Sequence, residues 1–213
     1  DIAGRGWDQQ LCRPVPFDKI PQLLVDAVVL TEDEHFFSHS GIDLASIVRA
    51  IATNLKAGRY VQGASTIPQQ LIRMAVLNPN KTLTRKLNEV FLALAADTIY
   101  SKRTILEAYL NRVYLGHRGP FPIMGVAEGV RHLFGKDLDE LDAAECALVA
   151  ATIRAPNIIT SHRHPERARE RRNMVLGRMF KAGKISRETY DEAIGSPVRM
   201  TKTNPVAVKA PAF

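Results

Sequence analysis

The sequence predicts an all-α, mainly helical protein, and three observations predict it. Apolar residues recur at spacings of three and four along most of the chain. Helix-starting Ser, Thr and Asp and helix-ending Gly bracket those stretches. No run of three or more alternating strands interrupts them.

Asp18 is placed to cap a helix over 19–31, in which Leu23, Leu24, Ala27 and Val28 form one stripe. Asp43 caps a second helix carrying Leu44, Ile47, Val48, Ile51 and Leu55, with Gly58 as its stop. Thr66-x-x-Gln69 is a capping-box pattern, and Pro68 falls in the first turn, where its missing N–H costs nothing. Thr84 opens a helix to about Tyr100, and Ser101 opens another through Leu115. Helices follow over 124–134, ended by Gly135, over 139–153, and over 165–182 from Pro165 to the stop at Gly183. Ser186–Ile194 is a short last one. The stretches Gly58–Gly63 and Gly116–Pro122 read as connections. The tail from Gly195, with Pro197, Pro205 and Pro211, reads as an extended linker. The expected division is one domain over 1–195 and a linker over 196–213.

The 213 residues suffice for a sizeable core, and 46% hydrophobic against 24% charged residues excludes disorder and fibrous repeats. A formal charge of +7 points to an anionic partner: nucleic acid, anionic lipid or a phosphorylated substrate. Cys12 and Cys146 have neither a zinc nor a C-x-x-C spacing, so two free thiols are expected. The longest apolar run, Val90–Ala96, falls far short of the ~18–20 residues of a membrane span.

The chain lacks G-x-S-x-G, H-E-x-x-H, Walker and G-x-G-x-x-G patterns, and the S-x-x-K and K-T-G of acyl-serine chemistry. Four clusters remain. Glu32-Asp33-Glu34-His35-Phe36-Phe37-Ser38-His39 is either a polar helix end with its aromatics in the core or a carboxylate site. Gln62-Gly63-Ala64-Ser65-Thr66-Ile67-Pro68-Gln69-Gln70 is either a well-capped helix start or a cradle of N–H, hydroxyl and amide groups for phosphate or sugar. Arg73 and Lys81 follow it as surface or ligand-binding cations. Arg85 and Glu89 are four apart on a helix apolar nearly all round, which reads as central and buried, with Glu89 partly desolvated. Glu107, Asn111 and Tyr114 share one face of the next helix.

In this order the clusters resemble the family-51 glycosyltransferases, the peptidoglycan glycosyltransferase domains of class A penicillin-binding proteins. The resemblance runs through E-D-x-x-F-x-x-H-x-G at 32–41, G-x-S-T-I-x-Q-Q at 63–70, R-K-x-x-E at 85–89 and I-L-E-x-Y-L-N-x-x-Y-x-G at 105–116. His164-Pro165-Glu166-Arg167-Ala168 and Arg171-Arg172-Asn173 look like the family's last motif. Pro68, Arg73 and Met74 stand where the family usually has Thr, Lys and Asn.

The resemblance implies a lysozyme-like helical lobe with a smaller membrane-associated lobe near 42–62. It implies polymerisation of lipid II into β-1,4 glycan with inversion at the donor MurNAc and release of a lipid diphosphate. Glu32 and Glu89 are the implied catalytic carboxylates. Glu32 is the candidate base, and Glu89 either a second site carboxylate or the partner that holds Arg85. The implied substrate-binding residues are Asp33, Phe36, His39, Gly63, Ser65, Thr66, Gln69, Gln70, Arg73, Lys81, Arg85, Lys86, Glu107 and Asn111. A divalent cation, Mg2+ or Mn2+, is the one cofactor to consider, with no organic cofactor. The expected partners are lipid II, lipid-linked glycan, the membrane surface and a transpeptidase domain, without nucleic acid. The expected location is the outer, periplasmic face of the cytoplasmic membrane, held by an N-terminal transmembrane helix beyond this sequence. Two alternatives are a lysozyme-like muramidase or lytic transglycosylase, and a basic nucleic-acid-binding module resting on the Arg163–Arg172 stretch.

Overall fold

Two helices that are apolar on nearly every side form the centre. In the computed structural model, which describes residues 11–59, 63–75, 82–156 and 165–201, these are α1 (Gln22–Glu32) and α7 (Ala143–Arg154). Their buried sides carry Leu24, Val28, Leu148 and Val149 among many small residues, and the alanines of α7 let helices approach closely. Both pack against α8 (Pro165–Lys181), which contributes Val175, Leu176 and Met179. The other helices are α2 (Leu44–Ala57), α3 (Ile67–Ala75), α4 (Leu83–Ile99), α5 (Lys102–Leu110), α6 (Val126–Phe134) and α9 (Arg187–Gly195).

Most expected starts and stops are present. Asp43, Ser101 and Ser186 accept from backbone N–H groups as N-caps of α2, α5 and α9, and Gly58, Gly135 and Gly183 have positive φ at or just after their helix ends. Burial pushes the Asp43 carboxyl up, but hydrogen bonds from Ser46 and His35 outweigh it and lower it to about 2. Its stabilising contribution is therefore present above the ordinary carboxylate range and is lost as pH falls through about 2. Asp18 does not cap a helix. It lies in a 3-10 turn, Phe17–Lys19, and α1 begins only after Pro21.

The chain is mainly helical, as expected, but one expected helix is shorter than its pattern suggests. The helix from Ser101 ends at Leu110, and the following residues form a hairpin, β2 (Tyr114–Arg118) and β3 (Phe121–Met124). β3 also pairs in parallel with β1 (Leu11–Cys12), giving a small sheet ordered β1-β3-β2. Gly119 with φ +64° supplies the left-handed turn beside Pro120. Both thiols are free, as expected. The expected linker is docked over its first residues: Arg172 donates to the Ser196 carbonyl at 2.9 Å, and the Thr201 N–H donates to the Leu133 carbonyl at 2.7 Å.

The second correction concerns α4, which is not central. Only Glu89 and Ala93 are buried on it, while Leu83, Leu87 and Phe91 are 86%, 70% and 71% exposed. The apolar residues of α2 point the same way energetically: Leu44, Val48, Ile51 and Leu55 are all exposed and only Ala50 is buried. The expected stripe of α2 thus does not face its own core.

Gly41, in the segment before α2, lies close against the backbone of α4. Its φ is +82°, and a Cβ there would stand 2.7 Å from the Ala93 carbonyl oxygen. Gly41→Ala is expected to destabilise the protein by about 1–3 kcal/mol, read as a lower urea midpoint at unchanged slope.

Candidate active site

Glu32 is the last residue of α1, and Asp33 is the C-cap where the backbone leaves the helix. Their carboxylates have different partners. Glu32 Oε2 accepts from Gln70 Nε2 at 2.9 Å, and Oε1 accepts from Arg154 Nε at 3.2 Å. Asp33 accepts from the Ile67 N–H at 2.9 Å and faces His39 Nε2 at 2.9 and 3.0 Å.

The expected capping box is formed. The Thr66 N–H donates to Gln69 Oε1 at 3.1 Å, and the Gln69 N–H lies 3.5 Å from Thr66 Oγ1. Thr66 Oγ1 donates to the Gly41 carbonyl at 2.6 Å. The start of α3 is thereby tied to Asp33 on one side and to Gly41 on the other. That fixes Gln70, one residue beyond the box, against Glu32.

The first turns of α4 bring the cations. Arg85 Nη1 lies 3.5 Å from Glu89 Oε2, Lys86 Nζ binds Glu89 Oε1, and Lys86 Nζ also donates to Ser65 Oγ at 3.3 Å. Glu89 is fully buried, as the sequence led one to expect, although its helix is not. Arg73 is exposed in the last turn of α3. Its charge and those of Glu32, Arg154 and Asp33 all act on the Tyr109 hydroxyl, so these groups share one electrostatic neighbourhood. Gly63 is exposed on the way into α3. Lys81 lies outside the described residues.

Several residues expected to touch substrate are instead committed inside the protein. Phe36 is fully buried, with its ring 4.9 Å below Lys102 Nζ. Asp33, Thr66 and Gln69 are buried and hydrogen-bonded as above, and the His39 side chain is only 7% exposed. Glu107 accepts from the Phe17 N–H at 2.8 Å, and Asn111 exchanges hydrogen bonds of 2.9 and 2.8 Å with the Val15 backbone. Glu107 and Asn111 thus pin the segment before α1. Asp33, Thr66, Gln69, Glu107 and Asn111 each meet a backbone group that burial would otherwise leave unsatisfied, whereas His39 meets the Asp33 carboxylate.

Sequence reasoning missed Arg154 and Tyr109. Arg154 ends α7, 122 residues from Glu32, and no local pattern links them. Tyr109 carries a signal in retrospect, because a tyrosine on the buried face of a helix needs a partner for its hydroxyl.

Among the described residues no three His, Cys, Asp or Glu side chains are grouped to hold a metal ion. Both oxygens of Glu89 face cations, Arg85 on one side and Lys86 on the other. A cleft of about 800 Å³ lined by Arg13, Phe17, Lys19, Arg103 and Asp137 contains none of the site residues. Charges on its walls already pair, Arg13 with Asp137 and Arg103 with Asp18, each at 3.9 Å.

A family model described as Transglycosylase matches residues 3–180. Penicillin-binding protein 1B of Vibrio cholerae is 43% identical over 92% of this chain and 25% of its own length. Penicillin-binding protein 1A of Aquifex aeolicus is 45% identical over 89% of this chain and 26% of its own. The crystal structure of penicillin-binding protein 1A from Haemophilus influenzae matches with a TM-score of 0.56 at 26% identity, over 93% of this chain and 19% of that one. The chain spans about a quarter of the length of the curated relatives it matches. The match over 3–180 takes in Glu32, the α3 start, the α4 cations and Arg154 together, and the chain belongs to the transglycosylase family.

Proposed function

We propose that the chain is an inverting peptidoglycan glycosyltransferase that polymerises lipid II at a membrane surface. The observation that carries the reading is that the start of α3 joins a held carboxylate to the cations: Gln70 donates to Glu32, and Ser65, just ahead of that helix, accepts from Lys86, which shares Glu89 with Arg85. A sugar hydroxyl is a poor nucleophile at neutral pH, and a lipid diphosphate leaves as an anion. The site offers one group for each task.

In this reading Glu32 takes the proton of the acceptor GlcNAc 4-hydroxyl as its oxygen attacks C1 of the donor MurNAc. The bond from C1 to the diphosphate breaks, its electron pair leaves with the diphosphate, and the α-linkage becomes β. General-base assistance of this kind contributes roughly 10²–10⁴-fold. Arg73, Arg85 and Lys86, with Lys81 by resemblance, meet the developing charge. Of the two roles open to Glu89, its burial between Arg85 and Lys86 supports holding those cations in place. No step runs through a metal. A divalent ion, if used, enters as a companion of the substrate's diphosphate.

The exposed apolar sides of α2 and α4 support a membrane-facing lobe that extends beyond 42–62. They suit a lipid-linked substrate and the outer face of the cytoplasmic membrane. The muramidase reading leaves the cations without a task, since glycan cleavage releases no diphosphate. In the stretch on which the nucleic-acid reading rests, Arg172 is buried and bonded to the Ser196 and Ile194 carbonyls, while Arg167 and Arg169 are exposed; Arg163 lies outside the described residues.

The test is incubation of the chain with purified lipid II and, separately, with finished glycan. Glycan strands formed from lipid II, with no cleavage of finished glycan, are expected. Cleavage without polymerisation overturns the reading. Arg73→Ala is expected to slow lipid II turnover by about ten- to a hundredfold, the range of one lost charge-assisted hydrogen bond.

A further inference from the structure

The geometry points to Tyr109 as a positioning residue that acts on Glu32 through Gln70, an inference that rests on the proposed role of Glu32 as the base. Tyr109 lies on α5 and is fully buried. Its hydroxyl donates to Gln70 Oε1 at 3.2 Å, and Gln70 Nε2 donates to Glu32 Oε2 at 2.9 Å. The three side chains come from α5, α3 and α1, three separate elements meeting at one point.

The relay has a definite polarity. A carboxamide has one accepting end and one donating end, and the two are nearly the same shape. Glu32, when ionised, only accepts, so Gln70 helps it only with its NH2 turned toward it. Turned the other way, the carbonyl oxygen of Gln70 would face the carboxylate and repel it. The acceptor-only carboxylate draws the NH2, and Tyr109 completes the arrangement, because its hydroxyl donates to the opposite end of the amide and holds the oxygen there. Burial pushes the Tyr109 hydroxyl well above the ordinary tyrosine range, and the Glu32 charge pushes it the same way against Arg73 and Arg154. The hydroxyl therefore stays protonated and remains a donor throughout the working pH range.

The relay also explains why Gln70 is tied so closely. The capping box and the Asp33 contact with the Ile67 N–H fix the backbone of α3, but they leave the terminal amide of Gln70 free to rotate by half a turn. The Glu32 carboxylate at one end and the Tyr109 hydroxyl at the other remove that freedom. Glu32 then presents its remaining lone pairs to the acceptor hydroxyl in one geometry, and it does so before substrate arrives.

The experiment is a double-mutant cycle of Tyr109→Phe and Gln70→Ala, read as steady-state lipid II polymerisation with kcat and KM separated. Tyr109→Phe removes one oxygen atom and is expected to lower kcat about tenfold, the equivalent of one hydrogen bond, with KM for lipid II changed less than about twofold. In the Gln70→Ala background, Tyr109→Phe is expected to cost less than about twofold more, because the group it orients is gone. A general packing role would instead cost the same in both backgrounds. Equal losses in both backgrounds, or a normal kcat for Tyr109→Phe, overturn the inference. Should Tyr109→Phe not fold, Gln70→Ala alone decides: a normal kcat there removes the middle of the relay and overturns it. The unsubstituted chain serves as the control for the underlying reading, since its failure to polymerise lipid II would count against Glu32 as base and not against the relay.

Discussion

Glu32→Gln lowers lipid II polymerisation by about 10²–10⁴-fold if Glu32 is the base, because the amide keeps the shape and cannot take the proton. The fold is expected to survive. Glu32 is at the end of α1, and its carboxylate contacts only Gln70 and Arg154 among the hydrogen bonds described. The check is a rate measurement at saturating lipid II, paired with thermal unfolding. A rate within tenfold of the unsubstituted chain, with the protein folded, removes Glu32 from the role of base. A comparable loss with a collapsed unfolding temperature would instead mark a structural carboxylate.

The next largest effect concerns the apolar surface. Val48 on α2 and Leu87 on α4 are 67% and 70% exposed, so neither is needed by the core. Val48→Asp/Leu87→Asp is expected to leave the fold intact. Each change removes about 1.5–3 kcal/mol of apolar burial from any inserted face, so the pair lowers membrane partitioning by about a hundredfold or more. Sedimentation with anionic liposomes at high salt isolates this contribution, since screening shortens to ~3 Å at 1 M and suppresses simple charge attraction. Salt-resistant binding equal to that of the unsubstituted chain would mean that these helices do not enter the bilayer.

Local chemistry made much of the fold legible. Caps at Asp43, Ser101 and Ser186, the capping box at Thr66 and Gln69, and the stops at Gly58, Gly135 and Gly183 act over a few residues, and each is where the pattern put it. The hairpin was not legible because β3 is only Phe121–Met124 and Val113–Leu115 continue the helical spacing of α5. The hairpin also pairs through β3 with β1, far away in sequence, which no local pattern shows.

The misreading of α4 has a different cause. Apolar residues on all sides of a helix indicate that no side is meant for water, but they do not say whether protein or lipid covers them. Glu89 and Ala93 mark the side that packs inward, and the leucines and Phe91 mark the other. At the site, motifs found the elements but not the division of labour within them. Glu32 and Gln70 meet, and Gln69 serves the local capping box, whereas Asp33 and Thr66 serve backbone groups that only the folded chain brings near. Arg154 was invisible because nothing local joins it to a carboxylate 122 residues earlier.

The most direct test of the account is the anomeric configuration of the bond that the chain makes. A single displacement, with Glu32 activating the acceptor hydroxyl and the cations receiving the diphosphate, must invert the donor carbon. Product from α-linked lipid II, examined by NMR of its MurNAc anomeric signals, is predicted to be wholly β-1,4-linked. An α-linked product would require two displacements through a covalent enzyme intermediate, and it would contradict the assignment of Glu32 as a base.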